Sequence, residues 1–464
     1  MSIPIKIYNT LTRRKEEFVP MSPDAVKMFV CGPTVYALSH VGHAKTYTQF
    51  DFVARYLRKH GYNLTYAQNI TDIDDKIIRR ASELGIEPRE LAVRYEASYL
   101  EDMAALHNTS VDKHARAHEH IDAIVAQVQK LIERGHAYQL DDGWYFDLHT
   151  FSSYGKLSGR TEIESEDSVA RIDEHDEKRN PGDFALWKAR KAGEPYWDTP
   201  LGQGRPGWHI EDTAITETLF GPQYDLHGGA MDLIFPHHEA EIAQMEAASG
   251  KEPLVRYWMH GGLLRVNGAK MAKSAGNFMT IRDALAIADF RTLRYAFLSQ
   301  HYRSSMELNE ITIENARSAR RRVENFARMI DPSRPETEES VARSAGARAA
   351  FFNRLDDDFD TPGALAVIFD FIREQNRSGE APGQSAESLL RDMEDLFDAF
   401  NFDERKIDST GIEIELDRRR ELRMARKFDE ADAVRKSLED RGIVIEDTSE
   451  GTRWWIKESQ NSRS

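Results

Sequence analysis

Apolar residues recur along this chain in two rhythms whose alternation lays out the elements. Val26 to Cys31 (VKMFVC) is nearly unbroken apolar, the length of a buried strand, and Gly32-Pro33-Thr34 supplies its exit turn. From Val41 the period lengthens, with Phe50, Val53 and Leu57 at helical spacing as far as Lys59. A strand at Leu64 to Ile70 and helices from Ile73 and Glu87 follow, so residues 1 to 115 read as half of a doubly wound parallel sheet. Ile121, Ile124, Val128 and Leu131 mark an amphipathic helix starting near His118, which leads into a hairpin, AYQLDDGWYFDL, with Asp-Gly at its turn. The acidic stretch from Glu162 to Lys178 reads as surface. This region is an insertion, and the sheet is expected to resume around GWHIE, YDLHGG and RYWMHGG. Beyond Ser274 the pattern is helical to about Phe400, with Leu355, Phe359, Ala366, Ile368 and Phe369 supplying apolar faces and breaks at Pro332 to Pro335 and Gly379 to Gly383. Arg418 to Arg441 then reads as a helical hairpin, and GIVIED and GTRWWIK as two short strands.

A chain of 464 residues implies about two to four domains. Its formal charge of −16, from 62 Lys and Arg against 78 Asp and Glu, excludes a uniformly basic surface but not local phosphate-binding patches. Two arginine groups are candidates: Arg317, Arg320, Arg321, Arg322 and Arg328 on one helix, and Arg418, Arg419, Arg420, Arg423 and Arg426 on another. Solvated helix faces are the alternative. The single cysteine, Cys31, makes an intrachain disulfide impossible. No apolar run is long enough to span a bilayer and the N-terminus has no signal-peptide pattern, so a cytoplasmic protein without membrane or DNA partners is expected.

His40-Val41-Gly42-His43 follows the first strand, and Lys270-Met271-Ala272-Lys273-Ser274 lies in a Gly-flanked loop far downstream. The pair resembles the HxGH and KMSKS signatures of class I aminoacyl-tRNA synthetases, which implies adenylation of an amino acid by ATP. The chemistry is reasonable for these residues. A carboxylate attacking an α-phosphate brings two anions together, and pyrophosphate leaves with developing charge. His40 and His43 at a helix N-terminus can donate hydrogen bonds there without permanent charge, and Gly42 lets the nucleotide approach the backbone. Lys270 and Lys273 are mobile point charges for the pyrophosphate. The implied ATP-binding residues are Thr34, His40, Gly42, His43 and Lys273, with Mg2+ accompanying the nucleotide.

Pro236-His237-His238-Glu239-Ala240-Glu241 places His237 and Glu241 four apart on one helix face, as metal ligands often are, while a lone Cys31 reads either as a small core residue or as a ligand. With VCGPTVYALSHVGHAKT, NITDIDDKI, NPGDFALWK, GRPGWHIEDTA, FPHHEAEIAQ and KMAKS in this order, the chain is similar over essentially its whole length to the cysteinyl-tRNA synthetases. That resemblance implies a zinc ion held by two Cys, one His and one Glu, with the substrate thiolate on the metal. Zinc prefers a thiolate to an unionised hydroxyl, so cysteine is separated from serine without editing. The ligands map to Cys31, His237 and Glu241, but the second cysteine is Asp212 here. Three readings of Asp212 stand: it is a harder, anionic zinc ligand; His209 or water replaces it; or zinc is weak or lost.

The resemblance also assigns Cys31, Thr71, Trp208 and Asp232 to cysteine binding, and Arg423, Asp432 and Asp447 to the anticodon. Each has an ordinary alternative. Thr71 is an N-cap for the helix carrying Asp72, Asp74 and Asp75, Trp208 is core, Asp232 is a strand-end cap, and Arg423 pairs with Asp432. The acidic run in TDIDDK reads as a helix start rather than a magnesium site. Trp454 and Trp455 either stack on bases or close a small core. The implied architecture is an α/β, Rossmann-like catalytic domain (1–116 and 204–265) with an inserted connective domain (117–203), a KMSKS-loop and stem-contact region (266–308), a helical bundle (309–402) and a small α+β anticodon-binding domain (403–464). The implied activity joins L-cysteine to the 3′-terminal adenosine of tRNA-Cys. A cysteine:amino-sugar ligase of mycothiol synthesis, whose members lack the last domain, and a non-catalytic tRNA- or zinc-binding paralogue are the alternatives.

Overall fold

The computed structural model describes residues 4–23, 25–160, 177–266, 269–270, 278–402, 409–441, 443–448 and 451–456. Lys273, the rest of the 271–277 loop and most of the acidic stretch after Glu162 lie outside them.

The chain opens with an antiparallel hairpin, β1 (Lys6–Asn9) and β2 (Arg14–Glu17). β3 (Ala25–Val30), α1 (Val41–Lys59), β4 (Asn63–Ile70), α2 (Asp75–Leu84), α3 (Pro88–Ala105) and β5 (Lys113–Arg116) follow. After the insertion, β10 (Tyr224–Ala230) and β11 (Val255–Gly261) join the same sheet, in the order β11-β10-β3-β4-β5 with every pairing parallel. The first crossover steps from β3 to β4, whereas β10 pairs on the other side of β3. The order of strand addition therefore reverses between β3 and β10, and a crevice at their carboxyl ends is where such folds bind ligands. Phe29, Ala67, Ala115, Ile215, Ile242 and Trp258 build the core on this sheet.

The insertion holds α4 (Ile121–Glu133) and an antiparallel sheet of β6 (Ala137–Leu140), β7 (Gly143–Phe146), β8 (Phe184–Ala189) and β9 (Gly204–Pro206). Two details differ from the sequence reading. Gly143 opens β7 instead of sitting in the turn, because the Trp187 carbonyl oxygen passes 2.1 Å from where a Cβ would be. GWHIE does not resume the sheet: Trp208 begins α5 (Trp208–Phe220), whose buried residues Ile210, Ala214 and Ile215 recur at helical spacing. α6 (Glu239–Ser249) precedes β11, and β12 (Leu264–Val266) and β13 (Ala269–Lys270) then lead up to residues 271–277. α7 (Ile281–Ile287), α8 (Phe290–Leu298), β14 (Met306–Leu308) and the helices α9 (Glu310–Arg328), α10 (Glu338–Asp356), α11 (Thr361–Ser378) and α12 (Gln384–Phe397) come next.

Contacts divide the chain into two compact units. The first comprises Met1–Arg317, Ala347–Ile368 and Asp392–Ala399 and contains the parallel sheet and the insertion. The second comprises Ser318–Gly346, Phe369–Arg391 and Phe400–Ser464. In it, α13 (Ser409–Met424), α14 (Phe428–Asp440) and the hairpin β15 (Ile443–Thr448) and β16 (Gly451–Ile456) close a small core of Ile412, Leu416, Leu438, Ile443 and Ile445, against which Trp454 packs. Two candidate phosphate ligands fail here. Arg320 is buried and paired with Glu324, and Arg419 is buried.

Among the described residues no helix is long and apolar enough to cross a membrane.

Candidate active site and metal centre

β3 ends at Val30; the Cys31 N–H donates to the Gly228 carbonyl of β10 at 3.0 Å, and Gly32 is held from the other side by β4. The Gly32 N–H donates to Asn69 Oδ1, and the Asn69 carbonyl oxygen lies 1.8 Å from where a Gly32 Cβ would stand, so only glycine fits. Beyond it, Val35 N–H donates to the Thr71 carbonyl at 3.2 Å and Thr71 N–H to the Pro33 carbonyl at 3.1 Å, which aligns Thr34 beside Thr71. α1 then starts at the HVGH turn. His40 is its N-cap, with Nδ1 accepting from Gly42 N–H at 3.1 Å and His43 N–H at 3.4 Å, so the proton of a neutral His40 sits on Nε2. The two imidazoles stack with centroids 3.9 Å apart. The chain after the KMAKS loop is laced onto this turn: Val41 N–H donates to the Met279 carbonyl at 3.1 Å, and Ile281 N–H to the Ser39 carbonyl at 3.0 Å. The segment from Met279 to Ile281 and the HVGH turn, remote in sequence, therefore share one corner of the fold. Lys270 ends β13, paired with Arg265 of β12.

Below this corner lies a dense buried polar cluster. Donor atoms of Cys31, Asp212 and His237 all lie within 4.8 Å of one another. His237 Nε2 is 3.2 Å from Asp212 Oδ2 and 3.2 Å from Glu241 Oε1, and Trp208 stacks on the His237 ring at 3.8 Å. His209 Nδ1 is 2.8 Å from His237 Nδ1, so His209 borders the cluster rather than replacing Asp212 in it. The structure thus brings together Cys31, Asp212 and His237, with Glu241 against His237 and grouped with His227 and His238, and with Trp208 and Thr71 at the margin. Thr71 is not a helix cap. Its hydroxyl donates to Glu211, while Asp74 caps α2. Asp232 is exposed on a turn after β10. The acidic run is matched by cations, Asp72 by Arg89 and Asp75 by Lys188 and Arg205, and Asp74 caps α2, so its charge is balanced within the chain.

The electrostatics of the cluster are one-sided. Glu211, Asp212 and Glu241 are all buried, and among the described residues no Lys or Arg forms an ion pair with them. Burial, then the charge of Asp212, raises Glu211 and Glu241 well above the carboxylate range. Burial pushes Asp212 up to about 7 against the hydrogen bonds of Cys31 and Asn69. Burial, then Asp212 and Glu241, raises the Cys31 thiol. Burial also keeps His227 and His238 well below the usual histidine range and takes His260 down to about 3, so these imidazoles are neutral and offset nothing. Neither carboxylate oxygen of Glu241 has a well-aligned hydrogen-bond partner. Such a set of acceptors is incomplete by itself and fits a divalent cation.

The comparisons with known proteins decide what this corner belongs to. Residues 17–318 match the model of the class I (C) tRNA synthetase catalytic domain, and residues 350–401 match the DALR domain. The chain is 44% identical to the cysteine–tRNA ligase of Thermoplasma acidophilum, covering 97% of this chain and 100% of that one. The chain belongs to the cysteine–tRNA ligase family. Cysteine–tRNA ligases of Thermococcus gammatolerans and Alkalilimnicola ehrlichii are each 45% identical over 97% of this chain and cover 98% and 99% of their own. Among solved structures, Mycobacterium tuberculosis methionyl-tRNA synthetase with methionyl-adenylate superimposes with a TM-score of 0.61 at 16% identity, covering 80% of this chain and 89% of that one. Agrobacterium radiobacter K84 agnB2 leucyl-tRNA synthetase gives 0.61 at 12% identity, covering 82% and 84%. Both share the Rossmann-like fold.

For a cysteine–tRNA ligase acting on tRNA, ATP and an amino acid, the sequence reading omitted several residues that the geometry brings forward. Glu211 touches Thr71 and neighbours Asp212. His227, His238 and His260 form a chain behind His237, with His238 Nδ1 2.8 Å from His260 Nε2. Asn69 links three parts of the site. Asn69, Glu211 and His238 stood inside recognised motifs, a signal that was available, whereas His227 on β10 and His260 on β11 are far apart in sequence. Of the anticodon candidates, Arg423 and Asp432 are exposed on α13 and α14, and Asp447 lies on β15.

Proposed function

We propose that this chain activates L-cysteine with Mg2+-bound ATP to give cysteinyl-adenylate and pyrophosphate, then transfers the cysteinyl group to the 3′-terminal adenosine of tRNA-Cys in the cytoplasm, with zinc held by Cys31, Asp212, His237 and Glu241. The observation that carries the metal assignment is the buried Cys31–Asp212–His237 cluster with Glu241 beside it and no basic side chain to balance its carboxylates. Zinc bound there supplies a preference for a thiolate over a hydroxyl, the distinction between cysteine and serine.

The remaining roles belong to the chain itself. Trp208 stacks on His237 and keeps that ring from turning, and Thr71 and Asp232 are assigned to the amino acid, the latter to its ammonium group. His40 and His43 donate to the α-phosphate region at the start of α1, Thr34 and Gly42 border the nucleotide, and Lys270 and Lys273 neutralise the leaving pyrophosphate. Arg423, Asp432 and Asp447 read the anticodon, and the domains divide as the resemblance implies.

The test is cysteine-dependent ATP–pyrophosphate exchange and transfer to tRNA-Cys, run beside elemental analysis of chelator-washed protein. Near-stoichiometric zinc, lost in Asp212→Ala, is expected. Because Cys31 is the sole thiol, its alkylation reads the site directly, and zinc should slow it. Fully active protein without zinc overturns the metal assignment, and exchange at background overturns the activity.

A further inference from the structure

A carboxylate in place of a thiolate brings a problem of its own. A thiolate offers one donor atom, whereas a carboxylate offers two and can bind a metal through both, occupying the position an incoming ligand needs. The environment of Asp212 addresses this. Asn69, at the end of β4, is 1% exposed, and its Nδ2 donates to Asp212 Oδ1 at 2.5 Å. Asp212 Oδ2 instead faces His237 Nε2 at 3.2 Å. The same amide accepts the Gly32 N–H at Oδ1 and lies 3.2 Å from Thr71 Oγ1 through Nδ2. Its orientation is fixed by chemistry: a flipped amide would set N–H against the Gly32 N–H and oxygen against a carboxylate. One side chain therefore connects the residue after Cys31, on the β3 exit turn, to Asp212 on α5.

We propose that Asn69 is a positioning residue that engages one oxygen of Asp212, leaves the other as a single donor, and locks the Asp212 and Cys31 ligands to each other. Its role presupposes zinc bound as proposed above. Outer partners of this kind orient ligands, and their loss typically costs about 10- to 100-fold in metal affinity.

The experiment measures zinc affinity by competition with a chromophoric chelator in the full chain, as the parent, Asn69→Ala, Asp212→Cys and the double variant, with cobalt(II) absorption as a second readout. Asn69→Ala is expected to weaken zinc about 10- to 100-fold in the parent and clearly less when Asp212→Cys is present, since a thiolate has no second oxygen to restrain. Equal losses in both backgrounds overturn the proposal and assign Asn69 to the Gly32 turn alone; unchanged affinity in the parent background also overturns it. If Asn69→Ala does not fold, Asn69→Asp keeps the acceptor for Gly32, removes the donor to Asp212 and is expected to alter the cobalt(II) bands, with an unaltered spectrum counting against the role. A parent that binds no zinc overturns the metal assignment and Asn69's role together, whereas the variant results bear on Asn69 alone.

Discussion

Asp51 and Asp212 lie in the same compact unit, both fully buried, yet their surroundings treat the charge in opposite ways. Asp51 on α1 accepts from Arg55 at 2.8 Å, Arg294 at 2.9 Å and the N–H groups of Thr109 and Ser110 at 3.0 Å each. Arg294 in turn bonds the Phe397 carbonyl at 3.0 Å and Asn108 Oδ1 at 2.9 Å. Although burial works against it, Arg294 and Arg55 hold Asp51 below the usual carboxylate range. Around Asp212 there are two more carboxylates, a thiol and the His237 imidazole, and burial pushes it up. Depth does not distinguish a structural charge from a functional one here. Complementarity does: the Asp51 hub is complete within the chain, and the Asp212 cluster, as proposed above, takes a cation from outside.

The largest expected effect tests that contrast directly. Asp51→Ala leaves Arg294 buried without its partner and is expected to cost about 3–5 kcal/mol in urea unfolding. Asp212→Asn, measured without metal, is expected to leave stability equal to the parent or higher, since it removes a carboxylate from a crowded set. Equal losses in the two variants would erase the distinction. Next in size is the response to zinc. At a free concentration a hundredfold above its Kd, zinc should stabilise the folded parent by about 2.7 kcal/mol, seen as a higher Tm. Asp51→Ala should retain that increment and Asp212→Asn should lose most of it. An increment that survives in Asp212→Asn places the ion elsewhere.

The difference between the two regions also bears on what the sequence makes legible. α1 was readable to its bounds because its signal is local: the apolar period of Phe50, Val53 and Leu57. The HVGH turn and the proposed ligands Cys31, Asp212, His237 and Glu241 stand inside motifs that the sequence displays. Their electrostatic character was not legible, since it arises from residues brought together over long separations. Nothing near Asp51 in sequence announces Arg294, 243 positions away. GWHIE misled because Trp-His-Ile-Glu alternates like a strand, while tertiary burial of Ile210, Ala214 and Ile215 makes it a helix. Arg320 and Arg419 looked like surface cations for the same reason: whether a long basic side chain is buried depends on partners that its helix alone does not reveal.

Lys45 gives the comparison a third term and the smallest expected effect. It lies two residues after His43, is 1% exposed, and meets no carboxylate; its ammonium donates to the Gly262 carbonyl at 2.8 Å, Gln49 Oε1 at 3.1 Å and the Tyr302 carbonyl at 3.3 Å. Burial lowers it to about 8. Three neutral oxygens thus hold a buried charge that no ion pair among the described residues balances. Between pH 8 and the ordinary lysine value the unfolded chain binds the proton more than the folded one, so Lys45's contribution to stability rises with pH in that window, by at most about 1.4 kcal/mol per pH unit. Below pH 8 the ammonium is charged in both states and the contribution is flat. Subtracting the Lys45→Met stability from the parent's at each pH cancels the other lysines and tyrosines, and the difference should climb from pH 8 to 10. A flat difference would mean that oriented carbonyl dipoles alone keep the ammonium as stable as water does. Neutral oxygens would then have to be counted with counter-ions before the Asp212 cluster is judged short of charge.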